Sequence, residues 1–115
     1  MKSRSWFLVL MLLIGFGWFL SVPGFAEEKV YELTIKNHQF SPLELIVPSG
    51  EKIKLVIKNE DETAEEFESY DLSREVVIKG KSTGSIFIGP LKSGKVYKYV
   101  GDFHKLQARG IIKTK

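Results

Sequence analysis

Residues 30–36 alternate, with Tyr31, Leu33 and Ile35 on one parity and Val30, Glu32, Thr34 and Lys36 on the other. Extended backbone sends successive side chains to opposite faces, so this run predicts a half-buried strand. A second apolar run, 43–47, stops at Pro48-Ser49-Gly50, a turn by composition. In 53–58, Ile53, Leu55 and Ile57 share one face before Asn59 opens an acidic loop. Further short runs cover 75–78, 85–88, 95–100 and 110–113, separated by Lys79-Gly80-Lys81-Ser82, by Gly89-Pro90 and by Leu91-Lys92-Ser93-Gly94. Seven short runs with turn signals between them, and no 3.6-residue period, predict an all-β antiparallel sandwich.

The N-terminus follows different rules. Lys2 and Arg4 precede a run of apolar and glycine residues over 6–20, and Ser21-Val22-Pro23-Gly24-Phe25-Ala26 ends in small residues before Glu27. The pattern is that of a secretory signal peptide cut after Ala26. The run falls short of the ~20 apolar residues that span a bilayer. The expected organisation is therefore a signal peptide at 1–26 and one domain at 27–115, exported and without a membrane anchor after cleavage.

Cleavage changes the charge. Taking Lys2 and Arg4 from the 17 basic residues leaves 15 against 14 acidic ones, so the apparent excess of +3 falls to +1. A nucleic-acid-binding face would need a basic surface with stacking aromatics, and the domain lacks that balance. Cysteine is absent from all 115 residues. That excludes disulfides, thiolate zinc sites, iron–sulfur clusters and a cysteine nucleophile. The two histidines have no Ser or Asp arrangement suggesting a hydrolytic triad, so hydrolytic chemistry is not expected.

Chemistry concentrates in two tripeptides. Seven acidic residues crowd positions 60–71 with no Lys or Arg among them, and within them lies Glu66-Phe67-Glu68. An extended segment there would send Phe67 into the core and both carboxylates outward, about 7 Å apart. Near the C-terminus Asp102-Phe103-His104 repeats the pattern. If both phenylalanines anchor in one end of the core, Glu66, Glu68, Asp102 and His104 converge as a metal site, since crowded carboxylates call for a compensating cation. Glu65, of opposite parity to Glu66, is expected outside this set, or to enter it through a bulge, and is ranked as support behind the ligands. His38, near a strand end, is a further candidate, set against a turn histidine satisfied by backbone groups. Gln107 is a weak donor by position.

The chain resembles the cupredoxins, on residues 37–42 (Asn-His-Gln-Phe-Ser-Pro), 47–50, 55–59, 63–68 and 99–104, with Gly110 following. The resemblance covers essentially the whole domain and implies a Greek-key β-sandwich with a metal site at one end. It also implies what is missing. Where type 1 copper members carry a first His, this chain has Glu65; where they carry Cys, it has Gly101; His104 stands at the second His, and Gln107 or Ala108 near the Met. Blue-copper chemistry depends on that thiolate.

A subgroup is closer: the periplasmic cupredoxin-like proteins that accompany high-affinity iron permeases. It is similar in residues 65–69 (Glu-Glu-Phe-Glu-Ser), in Asp71-Leu72 and Arg74-Glu75, and in Gly-Asp-Phe-His (101–104) leading to Ala-Arg-Gly (108–110). This implies a periplasmic protein that captures, oxidises or hands on iron. Its partners would be an inner-membrane permease and a separate periplasmic metal-binding protein, and it would act as a monomer or weak dimer. The expected cofactor is a metal ion, iron or copper. Two alternatives stand beside this reading: a copper-binding carrier, and a metal-free β-sandwich acting as an interaction module.

Overall fold

A computed structural model of the protein describes residues 28–115; the signal peptide expected at 1–26 lies outside the described residues. Nine strands form two sheets among them. The first sheet has the order β2 (Gln39–Ser41), β1 (Lys29–Lys36), β4 (Ile53–Asn59), β7 (Ser82–Ile88). The second has the order β3 (Glu44–Val47), β9 (Arg109–Thr114), β8 (Val96–Gly101), β5 (Glu65–Ser69), β6 (Arg74–Ile78). A 3₁₀ turn, Asp102–His104, follows β8.

The expected β-sandwich is present, with two refinements. Both sheets are mixed: β1 runs parallel to β4, and β3 parallel to β9, while the other pairs are antiparallel. Two strands also escape the hydrophobic pattern. β2 is three residues long with one buried side chain, Phe40, too short to display an alternation. β5 has buried Glu65, Phe67 and Ser69, so its inward face is largely polar.

The core lies between the sheets and follows the expected parities. Leu33 and Ile35 of β1 and Ile53, Leu55 and Ile57 of β4 are fully buried, facing Phe67, Tyr99 and Ile112 from the other sheet. Near one end, Phe40, Phe67 and Tyr99 form an aromatic cluster: Phe40 packs edge-on against both others, and the rings of Phe67 and Tyr99 lie 4.9 Å apart. Edge-on packing sets the positive rim of one ring against the negative face of the next.

The inward parity of β4 runs one residue further, to Asn59, which is 1% exposed. Its amide group donates to the carbonyls of Thr63 (2.9 Å), Ile78 (3.2 Å) and Lys79 (3.3 Å). A buried amide must find partners, and these bonds tie β4 to the start of β5 and the end of β6. The site is built on this end of the sandwich.

Candidate metal centre

Three segments meet beyond the aromatic cluster: the tip of the β1–β2 hairpin, the first residue of β5, and the loop after β8. Glu65 shares the inward parity of Phe67 and is 1% exposed. The pairing of β5 with β6 is regular from Glu65 to Ser69, so Glu65 enters the interior without a bulge. Its Oε1 accepts the N–H groups of Glu66 (3.0 Å) and Phe103 (2.9 Å), and its Oε2 lies 2.6 Å from His104 Nδ1. Burying a carboxylate requires this degree of compensation.

The space for that carboxylate comes from Gly101. A Cβ at this position would lie 2.6 Å from the Ala108 methyl and 2.7 Å from Glu65 Cδ. The Gly101 N–H donates to the Ala108 carbonyl, and the Ala108 N–H to the His104 carbonyl, both at 2.8 Å. These bonds close the 102–107 loop tightly and hold His104 at its base. The ring of His38 then covers that of His104, with centroids 3.6 Å apart and planes within 13°. His38 Nδ1 in turn lies 3.5 Å from Asp61 Oδ2.

His38, Glu65 and His104 bring one donor atom each to within 4.8 Å of one another. Glu65 Oε2 and His104 Nδ1 share a proton in the metal-free protein, and an ion held by these two donors would take that proton's place, since metal binding requires deprotonated ligands. Glu66, Glu68 and Asp102 form a second group meeting the same limit. The four residues expected to converge therefore divide: the carboxylates stay together, while His104 joins Glu65 and His38. Gln107 is exposed and contributes its N–H to the His104 carbonyl at 3.0 Å.

The division has a simple cause. Phe67 is buried as expected, leaving Glu66 and Glu68 on the outer face, but Phe103 is 51% exposed and anchors nothing. Residues 102–104 form a 3₁₀ turn, whose period near three does not return residues two apart to the same side. Asp102 faces outward, where Lys105 Nζ pairs with it at 3.0 Å, and His104 turns inward.

The electrostatics of the two groups differ. Partial burial, then the negative charges of Glu75, Asp102 and Glu68, raise the Glu66 carboxyl above its ordinary range. At Asp61 burial also disfavours the charged form, but the N–H groups of His38 and Asn37 and the charges of His38 and Lys81 outweigh it, leaving the carboxyl below its usual range. A surface cleft of about 380 Å³ is lined by Lys36, Lys58 and Lys81 among others. Ammonium groups repel a cation, so this cleft is not the metal centre.

Asp61 and Asn59 do not stand out in the sequence: one is a carboxylate among the seven in 60–71 and the other a strand-end amide, and only the approach of the hairpin tip, β5 and β6 gives them their partners.

Comparison with known proteins agrees with this architecture. The chain matches the family described as "Cupredoxin-like domain" over residues 8–112, and it belongs to that family. An uncharacterized protein of Rickettsia prowazekii (strain Madrid E) is 44% identical over 92 residues, covering 78% of this chain and 73% of that protein. Among solved structures, auracyanin A, a "blue" copper protein of Chloroflexus aurantiacus, superposes with a TM-score of 0.64 at 13% identity, over 77% of this chain and 100% of that one. A purple cupredoxin from Nitrosopumilus maritimus gives 0.53 at 19% identity, over 73% and 98% respectively. At these identities the likeness is one of fold.

The family implies copper, and the residues present decide which kind they fit. A type 1 site does not fit, because the chain has no cysteine and Gly101 is too enclosed to carry a side chain. Two imidazoles and a carboxylate are donors suited to a first-row divalent ion; because an imidazole lone pair lies in its ring plane, the stacked rings of His38 and His104 would open for both to hold it with Glu65.

Proposed function

We propose that this protein is an exported periplasmic metal-binding protein that takes a divalent first-row metal at His38, Glu65 and His104 and serves iron uptake. The observation that carries the reading is the donor set: two imidazoles and one carboxylate within 4.8 Å of each other. Two histidines and one carboxylate, with the remaining positions open, are the ligands of non-haem Fe(II) sites. The transport role draws on the resemblance of residues 65–69 and 101–104 to the permease-associated subgroup. In that role the protein captures the ion and passes it to an inner-membrane permease.

Copper carriage is the second reading, favoured by the same imidazole pair, because raw affinity among divalent ions rises to Cu(II). Calorimetric titration of the purified protein with Fe(II) under anaerobic conditions, and with Cu(II) and Zn(II) in air, separates the readings. Binding of Fe(II) that is lost in His38→Ala and His104→Ala supports the iron reading; binding of Cu(II) alone supports the carrier. No heat with any ion, and unmoved His104 resonances, would leave a metal-free interaction module. Radioiron uptake in a deletion strain tests the transport role separately: uptake equal to the parent would remove it.

A further inference from the structure

The tip of the β1–β2 hairpin is left-handed at both residues, and the side chain of Asp61 grips it there. Lys36 pairs with Gln39, leaving the two-residue loop Asn37-His38. Both loop residues have positive φ, 53° and 58°. Hairpins of this kind ordinarily use Asn-Gly or Asp-Gly, since the second position strongly favours glycine. Asn37 conforms and His38 does not, because its Cβ crowds the backbone in the left-handed region. Residues other than glycine in this region concentrate at functional sites, where the surrounding structure holds them.

Asp61 supplies the restraint. Its Oδ1 accepts the Asn37 N–H at 2.7 Å and its Oδ2 accepts the His38 N–H at 2.9 Å. Asp61 is itself fixed: its N–H donates to Asn59 Oδ1 at 3.0 Å, and its carbonyl accepts the Lys81 N–H at 2.8 Å. Asn59 is anchored in the core end by the three carbonyls described above. A continuous series of hydrogen bonds thus runs from the buried end of β4 to the loop carrying His38.

We propose that Asp61 is the positioning residue of the metal centre: by gripping both N–H groups of the hairpin tip, it keeps the His38 ring on the ring of His104. The role as part of a metal centre rests on reading His38, Glu65 and His104 as ligands, but the positioning role can be tested without metal.

In metal-free protein, each imidazole lies in the ring current of the other, which shifts the His38 ring protons upfield. In Asp61→Ala that shift should disappear while the core methyl resonances remain. Stacking that survives in Asp61→Ala would overturn the positioning role. With Zn(II) as probe, Asp61→Ala should weaken binding about 10- to 100-fold, the usual effect of removing an outer partner of a ligand. Asp61→Asn, which keeps the volume and one acceptor, should weaken it less and serves if the alanine variant fails to fold. In a His38→Ala background, either substitution should cost nothing further. An equal loss in that background would show that Asp61 acts on the site without His38, and would overturn the proposal. Wild-type protein that binds no Zn(II), Cu(II) or Fe(II) yet loses its stacking in Asp61→Ala would refute the metal reading alone.

Discussion

The imidazole of His38 lies flat on that of His104, 3.6 Å away and 13° from parallel. Two residues separated by most of the domain meet because one sits on a hairpin tip and the other at the base of a closed loop. The contact is maintained at a backbone φ of 58° for His38. Left-handed strain of this kind costs of order 1 kcal/mol or more. His38→Gly should therefore raise the stability of metal-free protein by about 1 kcal/mol while weakening metal binding. Thermal unfolding and Zn(II) titration of the same samples would check this, and a lowered midpoint would refute the strain.

Glu65 has the opposite balance. It is 1% exposed and serves the N–H groups of Glu66 and Phe103 as well as His104. Glu65→Ala should cost about 3 kcal/mol, because the N–H groups of Glu66 and Phe103 and the His104 ring all lose their buried acceptor. Glu65→Gln, with one acceptor oxygen remaining, should retain more of the stability yet still lose metal affinity. Urea denaturation beside metal titration distinguishes the two losses.

Gly101 and Glu65 compete for one volume. Gly101→Ala should destabilise by about 1–3 kcal/mol through overpacking against Ala108 and the carboxylate. In a Glu65→Ala background the penalty should shrink, because one of the two overlaps is gone. Strictly additive losses would show that the carboxylate does not pack on Gly101. By the same reasoning, Gly101→Cys alone should produce no intense blue band with Cu(II).

Tyr99 sets an alkaline limit. Its hydroxyl is buried without a hydrogen-bond partner, and burial pushes the phenol well above its ordinary value of 10.0. A group whose folded value is raised contributes its full stability below the unfolded value. That stability is lost as pH rises from about 10 toward the folded value. Tyr99→Phe should be near neutral or stabilising at pH 7, since it removes an unpaired polar atom, and should flatten the alkaline loss. Unfolding measured from pH 8 to 11.5 would reveal either effect.

Gly110 is bound to the same ring. It pairs with Tyr99 across β8 and β9, and a methyl group there would overlap the phenol oxygen and ring carbons. Gly110→Ala should destabilise by about 1–3 kcal/mol, as overpacking does in a rigid core. Denaturation of Gly110→Ala with Tyr99→Leu, in which the ring is gone, should show the loss largely recovered.

Much of the fold is legible along the chain. The alternations in β1 and β4 name their inward residues because a strand with one buried face must repeat every second position. Cysteine's absence rules out the thiolate chemistry of the family, since no tertiary contact can supply a missing atom. The Glu66-Phe67-Glu68 pattern also places its phenylalanine inside and its carboxylates outside.

The composition of the centre, by contrast, was a tertiary decision. Parity identified Glu65 as opposite to Glu66, but only the approach of Gly101 gave its carboxylate a place to be buried and a histidine to face. The Asp102-Phe103-His104 segment has the letters of a strand. The loop closed between Gly101 and Ala108 winds it into a 3₁₀ turn, separating Asp102 from His104. His38 reaches the site through a hairpin whose geometry depends on Asp61, 23 residues away. A sequence specifies which faces repeat, because that periodicity is local; which donors come within reach of one another depends on where loops from both sheets end, and those ends are set by long-range hydrogen bonds and packing.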